Sequence, residues 1–384
     1  MIPYGRQNIT QSDVDAVVET LKSDYLTQGP KVPAFEESVR QFVGSGYAVA
    51  GNSATSMLHV ACMALGLGEN GLLWTSPNTF VASANCALYC GASIDFVDIN
   101  PDTYNIDIDS LTLKLELADK EGTLPNVLVV VHFGGQSCDM QKIACLSKRY
   151  KFKVIEDASH CIGGHYEENP IGNCKYSDIS IFSFHPVKII TTMEGGMATT
   201  NDESLFHKMQ RYRSHGVTRE EEFLENCNGF AWYYEQLELG FNYRMTDVQA
   251  ALGSSQMFTL EDNIERRRYL AARYHQLLSD LPISHQKADE LSNSSWHLYV
   301  LRLLNVESLE QKSFIFDRLR ERGIGVNVHY IPVHTQPYYK SLGFDWGMFP
   351  EAENYYRQAL SIPLYPQLGE SEQDYIVNEL RKVV

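Results

Sequence analysis

The chain of 384 residues is too long for one small module and indicates two lobes, or one large domain with a smaller one appended. Its composition, 44% hydrophobic and 21% charged, is that of a globular protein with a sizeable core. The 48 Asp and Glu outnumber the 32 Lys and Arg, giving a net charge of −16. This charge argues against nucleic acid and anionic membranes as main partners, because phosphate backbones need a basic face.

The cysteines and the N-terminal residues allow a prediction of the cellular compartment. The eight cysteines, from Cys62 to Cys227, form no Cys-x-x-Cys pair and no zinc-type spacing with histidine, so we expect reduced thiols and no metal site. The first residues lack the apolar stretch of a signal peptide. The longest apolar run, around 127–133, is far too short to span a membrane. We therefore expect a cytoplasmic protein without a membrane partner.

Short apolar runs alternate with helical patterns through the first two thirds of the chain. This alternation predicts an α/β fold in which a mainly parallel sheet is covered by helices on both faces. Ligands of such sheets gather at the carboxyl ends of the strands. The predicted strands are 47–50, 72–75, 94–98, 127–131, 153–156, 179–184 and 196–199, and the clearest helices are 56–65, 80–89 and 141–150.

The pattern changes after Asn242. Thr246 to Gln249 form a capping box, which predicts a helix that continues to about residue 278. The Arg266–Arg268 cluster on that helix has acidic neighbours and indicates a solvated face. Strands at 296–303 and 324–330 and helices at 311–322 and 350–360 follow. The sequence therefore predicts a large α/β domain over 1–254 and a small α+β domain over 255–384.

A short polar segment joins the first predicted strand to a helix. Gly51 follows the strand, and Ser53, Thr55 and Ser56 surround the start of a helix that carries one apolar stripe. Free backbone N–H groups at a helix start can hold a phosphate. Taken alone, the hydroxyl residues favour an ordinary N-cap.

Two later segments carry residues that are better candidates for catalysis. Asp157 follows a buried strand, where a carboxylate can hold a proton on a pyridine nitrogen; a helix cap or a metal ligand is the alternative. Lys188 follows another apolar strand, where partial desolvation favours the neutral amine that forms a Schiff base. A lone lysine there is more often an exposed loop residue. Ser183 precedes it by five residues, at a distance suited to the phosphate of the same cofactor.

The order of these segments resembles the sugar-nucleotide aminotransferases of the DegT type, which are fold-type I enzymes dependent on pyridoxal 5'-phosphate. The resemblance covers almost the whole chain. It implies a seven-stranded, mainly parallel sheet and two catalytic residues, Lys188 as the lysine that carries the cofactor and Asp157 at the pyridine nitrogen. It also implies cofactor contacts from Ala54, Thr55 and Ser183 at the phosphate, Phe80 on the ring, His160 beside the ring hydroxyl, and Asn242 from a partner subunit. A shared site of this kind implies a homodimer.

Segments 26–29, 52–56, 183–192 and 213–216 most resemble the family members of pseudaminic acid biosynthesis. By this resemblance, the chain moves an amino group from L-glutamate to C4 of a UDP-linked 4-keto-6-deoxy-N-acetylhexosamine. The N-terminal segment 1–30 then contributes to the substrate site. The implied substrate contacts are Tyr4, Asp24, Tyr25, Leu26, Thr27, His185, Arg244, His329 and Tyr330.

Three alternatives remain open at this point. The main one is an aminotransferase for another 4-keto sugar nucleotide, such as a GDP- or dTDP-linked hexose or a UDP-linked 4-keto-pentose. A pyridoxal-dependent sugar dehydratase of the same fold carries histidine where Lys188 stands, which makes that reading less favourable. A non-catalytic sensor would not need Asp157, Ser183 and Lys188 together.

Overall fold

A computed structural model describes residues 1–226 and 229–384. Within these ranges, the helices are α1 Gln11–Leu21, α2 Lys31–Val43, α3 Ala54–Ala64, α4 Ala82–Tyr89, α5 Ile108–Glu121, α6 Met140–Tyr150, α7 Glu203–Arg213, α8 Asp247–Met257, α9 Leu260–Leu277, α10 Leu309–Glu321, α11 Pro337–Lys340, α12 Pro350–Gln358 and α13 Glu370–Leu380. The strands are β1 Tyr47–Gly51, β2 Leu72–Thr75, β3 Ser93–Phe96, β4 Val127–Val131, β5 Lys153–Asp157, β6 His165–Tyr166, β7 Asn169–Pro170, β8 Ile179–Ser183, β9 Gly196–Thr200, β10 Val217–Thr218, β11 Glu235–Gln236, β12 Ile283–His285, β13 Ser292–Asn293, β14 Tyr299–Leu303 and β15 Ala359–Ile362.

The central sheet has seven strands in the order β1-β9-β8-β5-β4-β2-β3. Strand β9 pairs antiparallel with both of its neighbours, and the other four pairings are parallel. The carboxyl ends of β1, β4, β5 and β8 therefore lie at one edge of the sheet, and β9 begins at that edge. This confirms the predicted fold-type I α/β architecture and shows where a ligand site is expected.

Both faces of this sheet are buried. Val127 and Val129 of β4 belong to one core and Leu128 and Val130 to the other, as the period of two in a strand requires. Helices α3, α4 and α7 cover the first face, and α2, α5, α6 and α8 cover the second. A strand that is apolar on both sides is typical of a sheet enclosed in this way, which explains the unbroken apolar run at 127–131.

A third core lies in the C-terminal part of the chain. The antiparallel sheet β12-β14-β15 packs with α9, α10 and α13 around residues such as Leu301 and Leu319. The predicted domain boundary after residue 254 falls inside α8, which packs on α1 and α2. The division into two domains therefore stays a prediction. No helix among the residues described is long and apolar enough to cross a lipid bilayer.

Some predicted C-terminal elements differ from the observed ones. The long helix expected from residue 246 is two helices, since α8 ends at Met257 and α9 begins at Leu260. The expected strand at 324–330 forms only isolated bridges, one from Ile324 and one from Asn327. The strand expected from residue 296 begins at Tyr299, and the helix expected to reach residue 360 ends at Gln358, where β15 follows.

The interpretation of the arginine cluster as a solvated face is wrong. Arg267 is 1% exposed, and its Nη1 donates to the carbonyl oxygens of Trp296, His297 and Leu364 at 3.0–3.2 Å. Arg266 and Arg268 likewise donate to backbone carbonyls of neighbouring segments. The hydrogen bonds of this cluster hold α9 against these segments, because one guanidinium group can donate to several carbonyl oxygens at once.

The cysteines of the described part of the chain are free thiols. They are Cys62, Cys86, Cys90, Cys138, Cys145, Cys161 and Cys174, and all but Cys90 and Cys145 are buried. This agrees with the expected reduced state. Cys227 lies outside the described residues.

Candidate active site

Most of the predicted site residues meet where the central parallel strands end. Asp157 is the last residue of β5 and Ser183 the last of β8. Gly196, at the start of β9, pairs with Ser183 on one side and with Gly51 on the other. The segment after Gly51 enters α3, so the helix start lies beside these strand ends.

The first turn of α3 forms one wall of a cavity of about 580 Å³. The Ser53 side chain accepts from the Ser56 N–H at 3.1 Å and is the N-cap. The N–H groups of Ala54 and Thr55 have no intrahelical acceptor, since the first N–H groups of any helix lack one. The same turn is therefore an ordinary helix cap and a place where an anion can bind, because the N–H groups of Ala54 and Thr55 remain available to a ligand.

Lys188 lies in the turn between β8 and β9 and lines this cavity. Its backbone N–H donates to the His185 carbonyl at 2.9 Å, which closes the turn. Burial lowers the pKa of Lys188 to about 8, and the Asp157 carboxylate opposes this effect only in part. A lysine in this state supplies a substantial fraction of neutral, nucleophilic amine near neutral pH.

Asp157 is 6% exposed and is held at both carboxylate oxygens. Oδ1 accepts from the Ser159 N–H at 3.1 Å, and Oδ2 accepts from the Ser83 hydroxyl at 2.6 Å. These donors stabilise a charged carboxylate in a place that water barely reaches. The carboxylate lines the same cavity as Lys188 and can meet a cationic or protonated nitrogen there.

His160 is buried and neutral at physiological pH. Burial lowers its pKa well below the usual value, and Lys188 and His329 add to this effect. Its Nδ1 accepts from the Gly134 N–H at 3.3 Å, so the proton of the neutral ring is on Nε2, which lies 3.1 Å from the Tyr330 hydroxyl oxygen. The hydroxyl proton of Tyr330 is then free to point toward a ligand.

Besides His160 and His185, two further histidines line the cavity, His297 and His329. Burial lowers the pKa of His329 to about 3, and its Nδ1 lies 2.7 Å from the Ser361 hydroxyl. His297 is 5% exposed, its ring lies 4.5 Å from that of His160, and its Nδ1 is buried without a partner among the described atoms. Sequence reasoning missed His297, because a histidine that follows a tryptophan before a strand carries no signal of a site.

The cavity collects most of the predicted residues, although not all of them. Tyr4, Ala54, Thr55, Phe80, Asp157, His160, Ser183, His185, Lys188, His329 and Tyr330 line it. Phe80 is 58% exposed and lies at its open side. The lining also includes residues that were not predicted, among them Thr79, Ser159, Glu194, His297 and Asn327.

Six predicted residues lie outside this lining. They are Asp24, Tyr25, Leu26, Thr27, Asn242 and Arg244. The first four and Asn242 are exposed, with Tyr25 at 56% and Leu26 at 50%. Thr27 and Asn242 form isolated bridges, to Thr246 and Ser214. Within one chain, the structure does not bring these residues to the cavity.

The donors of the cavity fit pyridoxal phosphate. A helix start with two free N–H groups and the Ser183 hydroxyl can hold a phosphate. A buried carboxylate suits a protonated pyridine nitrogen, and an amine of lowered pKa suits an aldehyde. Gly196 makes room for the phosphate-binding turn, because a Cβ there would lie only 2.4 Å from the Ala54 nitrogen.

Comparison with known proteins agrees with this donor set. Residues 7–381 match the model of the DegT/DnrJ/EryC1/StrS aminotransferase family. The chain belongs to this family. It is a pyridoxal phosphate-dependent sugar aminotransferase of fold type I, and a sugar and an amino donor are its reactants.

The similarity extends over the full chain in relatives and solved structures. The UDP-4-amino-4,6-dideoxy-N-acetyl-beta-L-altrosamine transaminase of Campylobacter jejuni is 39% identical, covering 100% of this chain and 98% of that protein. The spore coat polysaccharide biosynthesis protein SpsC of Bacillus subtilis is also 39% identical, covering 100% and 97%. Helicobacter pylori PseC, an aminotransferase involved in the biosynthesis of pseudoaminic acid, superposes with a TM-score of 0.89 at 30% identity, covering 100% and 98%. The Streptococcus pneumoniae protein Spr1654 has been solved in PLP and PMP forms, with TM-scores of 0.89 and 0.90 at 28% identity, covering 100% of this chain and 99% of that one.

Proposed function

We propose that this chain transfers the amino group of L-glutamate to C4 of a UDP-linked 4-keto-6-deoxy-N-acetylhexosamine, a step of pseudaminic acid biosynthesis. The observation that carries the proposal is the convergence of three groups on one cavity. These are the Lys188 amine, the Asp157 carboxylate, and the α3 turn with Ser183 beside it.

Each group has a distinct task in this scheme. When bound, pyridoxal phosphate supplies an electron sink for the reacting carbon. Lys188 carries the cofactor and, once displaced by the donor, would take the proton from the donor α-carbon as general base and deliver it to the cofactor carbon as general acid. Asp157 holds a proton on the pyridine nitrogen. Ala54, Thr55 and Ser183 bind the phosphate, Phe80 packs on the ring, and His160 lies beside the ring hydroxyl.

The charge of the cavity supports a site shared between two subunits. Lys188 is the single Lys or Arg among the described residues that line it, and the carboxylates of Asp157 and Glu194 line it too. A donor with two carboxylates and a sugar diphosphate need more positive charge than this. We propose a homodimer in which the partner subunit supplies Asn242 and Arg244, and in which segment 24–27 closes on the substrate.

The identity of the sugar rests on relatives, and a second candidate has similar support. The name of the Campylobacter jejuni relative specifies a UDP-linked altrosamine, whereas SpsC, at the same 39% identity, is named for spore coat polysaccharide. An aminotransferase for another 4-keto sugar nucleotide is therefore the second candidate. Tyr4, His185, His329 and Tyr330 line the cavity and are our proposed sugar contacts in both cases.

An assay with a panel of sugar nucleotides tests the proposal. Purified enzyme with pyridoxal phosphate and L-glutamate is offered the UDP-linked 4-keto-6-deoxy-N-acetylhexosamine, GDP- and dTDP-linked 4-keto hexoses, and a UDP-linked 4-keto-pentose. Mass spectrometry then follows amine formation. We expect the UDP-linked hexosamine to react at the highest kcat/KM. Reaction with a GDP- or dTDP-sugar and none with the UDP-linked hexosamine would overturn the substrate assignment.

Lys188→Ala tests the catalytic assignment in the same assay. We expect turnover to fall about a thousandfold or more, because the variant lacks both the Schiff-base amine and the proton carrier. Lys142→Ala is the matched control, since that lysine is 68% exposed and pairs only with Asp139 among the described residues. Lys142→Ala should retain full activity, and retention of turnover by Lys188→Ala would refute the scheme.

A further inference from the structure

Two buried hydroxyl groups adjoin Asp157, one from the start of helix α4 and one from Thr79, which also lines the cavity. Ser83 is 0% exposed, and its hydroxyl donates to Asp157 Oδ2 at 2.6 Å. Thr79 is 2% exposed, and its hydroxyl oxygen lies 2.7 Å from that of Ser83. Ser83 lies in the first turn of α4, and Thr79 lies in the loop just before that helix.

The charge on Asp157 determines the direction of these hydrogen bonds. An ionised carboxylate only accepts, so the single proton of Ser83 is committed to Oδ2. Thr79 must therefore donate to Ser83. Both hydroxyl dipoles then point toward the carboxylate, and each hydrogen bond polarises the next one.

We propose that Ser83, oriented by Thr79, is a positioning residue that holds the Asp157 carboxylate in the orientation its task requires. The inference rests on the proposed role of Asp157 and is independent of which sugar is aminated. Ser83 does not line the cavity, so it acts only through the carboxylate.

Loss of the Ser83 hydroxyl has a defined electrostatic consequence. With one donor fewer, the buried carboxylate holds its charge less well and binds a proton more readily. With pyridoxal phosphate bound, Asp157 would then hold a proton on the pyridine nitrogen less firmly. Proton transfer by Lys188 would slow, and the pH midpoint of the cofactor absorbance would rise.

The experiment compares the Ser83→Ala variant with the parent enzyme, both loaded with pyridoxal phosphate. The readouts are the pH at which the visible absorbance of the bound cofactor changes, the rate of bleaching by L-glutamate, and the Kd of pyridoxal phosphate for the apoenzyme. We expect the titration midpoint to rise by about one pH unit. The maximal bleaching rate should fall about tenfold to a hundredfold, with little change in the glutamate concentration at half rate.

Three further variants separate positioning from a structural effect. Ser83→Thr keeps the hydroxyl and should restore the midpoint, and Thr79→Val should shift it in the same direction by less. Thr75→Val is the matched control, because Thr75 is 0% exposed and its hydroxyl donates to the Val129 carbonyl at 2.9 Å instead. We expect that control to lower the melting temperature without moving the midpoint.

A double variant provides the decisive comparison. If Ser83 acts through the carboxylate, Ser83→Ala adds nothing to the midpoint and cofactor Kd of Asp157→Asn. An unchanged midpoint in Ser83→Ala, or an equal shift in the Asp157→Asn background, would overturn the inference. Both readouts need only cofactor and glutamate, so a failure with the UDP-sugar would overturn the proposed substrate and leave this inference standing.

Discussion

Lys188 and Asp157 both line the cavity, and two opposing effects set the pKa of Lys188 there. Burial disfavours the protonated amine, and the carboxylate favours it, with burial the larger effect, so the pKa of Lys188 falls to about 8. Near neutral pH, the lysine can therefore be neutral when it attacks an aldehyde, and it can also hold a proton that it has accepted. An isolated lysine on an exposed loop would stay protonated to about pH 10.

The apoenzyme should reveal this pKa in its reaction with pyridoxal phosphate. Only the neutral amine attacks the aldehyde, so the rate should rise with pH and reach half of its maximum near pH 8. Stopped-flow absorbance over a range of pH measures it. In Asp157→Asn the midpoint should move lower, because the variant loses the charge that stabilises the protonated amine. A midpoint near 10 in the parent chain would contradict the assigned environment.

At the scale of elements, strand β9 and helix α3 are joined through backbone contacts. The space above Gly196 is filled by the Ser53 carbonyl group and the Ala54 nitrogen, both within 2.6 Å of a Cβ built there. Backbone atoms cannot rotate away as a side chain does. The turn that we propose binds the phosphate therefore has its position because residue 196 has no side chain.

Gly196→Ala should consequently displace the start of α3 and weaken cofactor binding. We expect the Kd of pyridoxal phosphate to rise about tenfold or more, since two N–H donors lose their alignment. Equilibrium dialysis of the apoenzyme measures it. Gly68→Ala is the matched control, because a Cβ at Gly68 meets no atom within 4 Å. Equal cofactor affinity in both variants would show that the close approach has no role in binding.

The arginine cluster of α9 shows how an element can be misread. A run of arginines with acidic neighbours has the same pattern on a solvated helix and on one packed against carbonyl groups. Arg267 is buried only because the segments around Trp296 and Leu364 present their carbonyl oxygens to it. Burial lowers its pKa to about 10, yet the group stays charged at neutral pH.

At the scale of the whole molecule, the net charge of −16 opposes an anionic cofactor and substrate. The helix start at α3 and the hydroxyl of Ser183 can compensate for this charge at one phosphate only. We therefore expect the second subunit to contribute positive charge at the sugar nucleotide. Arg244, which lies outside the cavity of its own chain, is our candidate.

Complementation between two inactive variants tests this arrangement. Lys188→Ala and Arg244→Ala should each be almost inactive alone. In a mixed dimer, one site carries both changes and the other carries neither. Random exchange of equal amounts should therefore restore about a quarter of the parental activity.

A second mixture is the control for this result. A mixture of Lys188→Ala with Asp157→Asn should stay inactive, because both residues belong to the cavity of one chain and every site of a mixed dimer retains one change. Recovery in that mixture, or no recovery with Arg244→Ala, would show that the sites are not shared in the proposed way.

Short stretches of sequence were enough to predict the alternation of strands and helices and to single out Asp157, Ser183 and Lys188 after buried strands. These are local properties, because periodicity, turn chemistry and the position of a polar residue after an apolar run all depend on neighbouring residues. The seven-stranded sheet of fold type I and the roles of these residues came from the family resemblance.

Contacts between distant residues became visible only in the folded chain. Ser83 reaches Asp157 across 74 positions of the chain, and the ring of His297 packs at a tilt against that of His160. Arg267 is buried by carbonyl groups of segments far from it, and the helix predicted from residue 246 breaks at 258 and 259. Such contacts depend on strand order and helix packing. The residues next to a side chain in the sequence therefore carry no pattern that shows which distant residue it will contact.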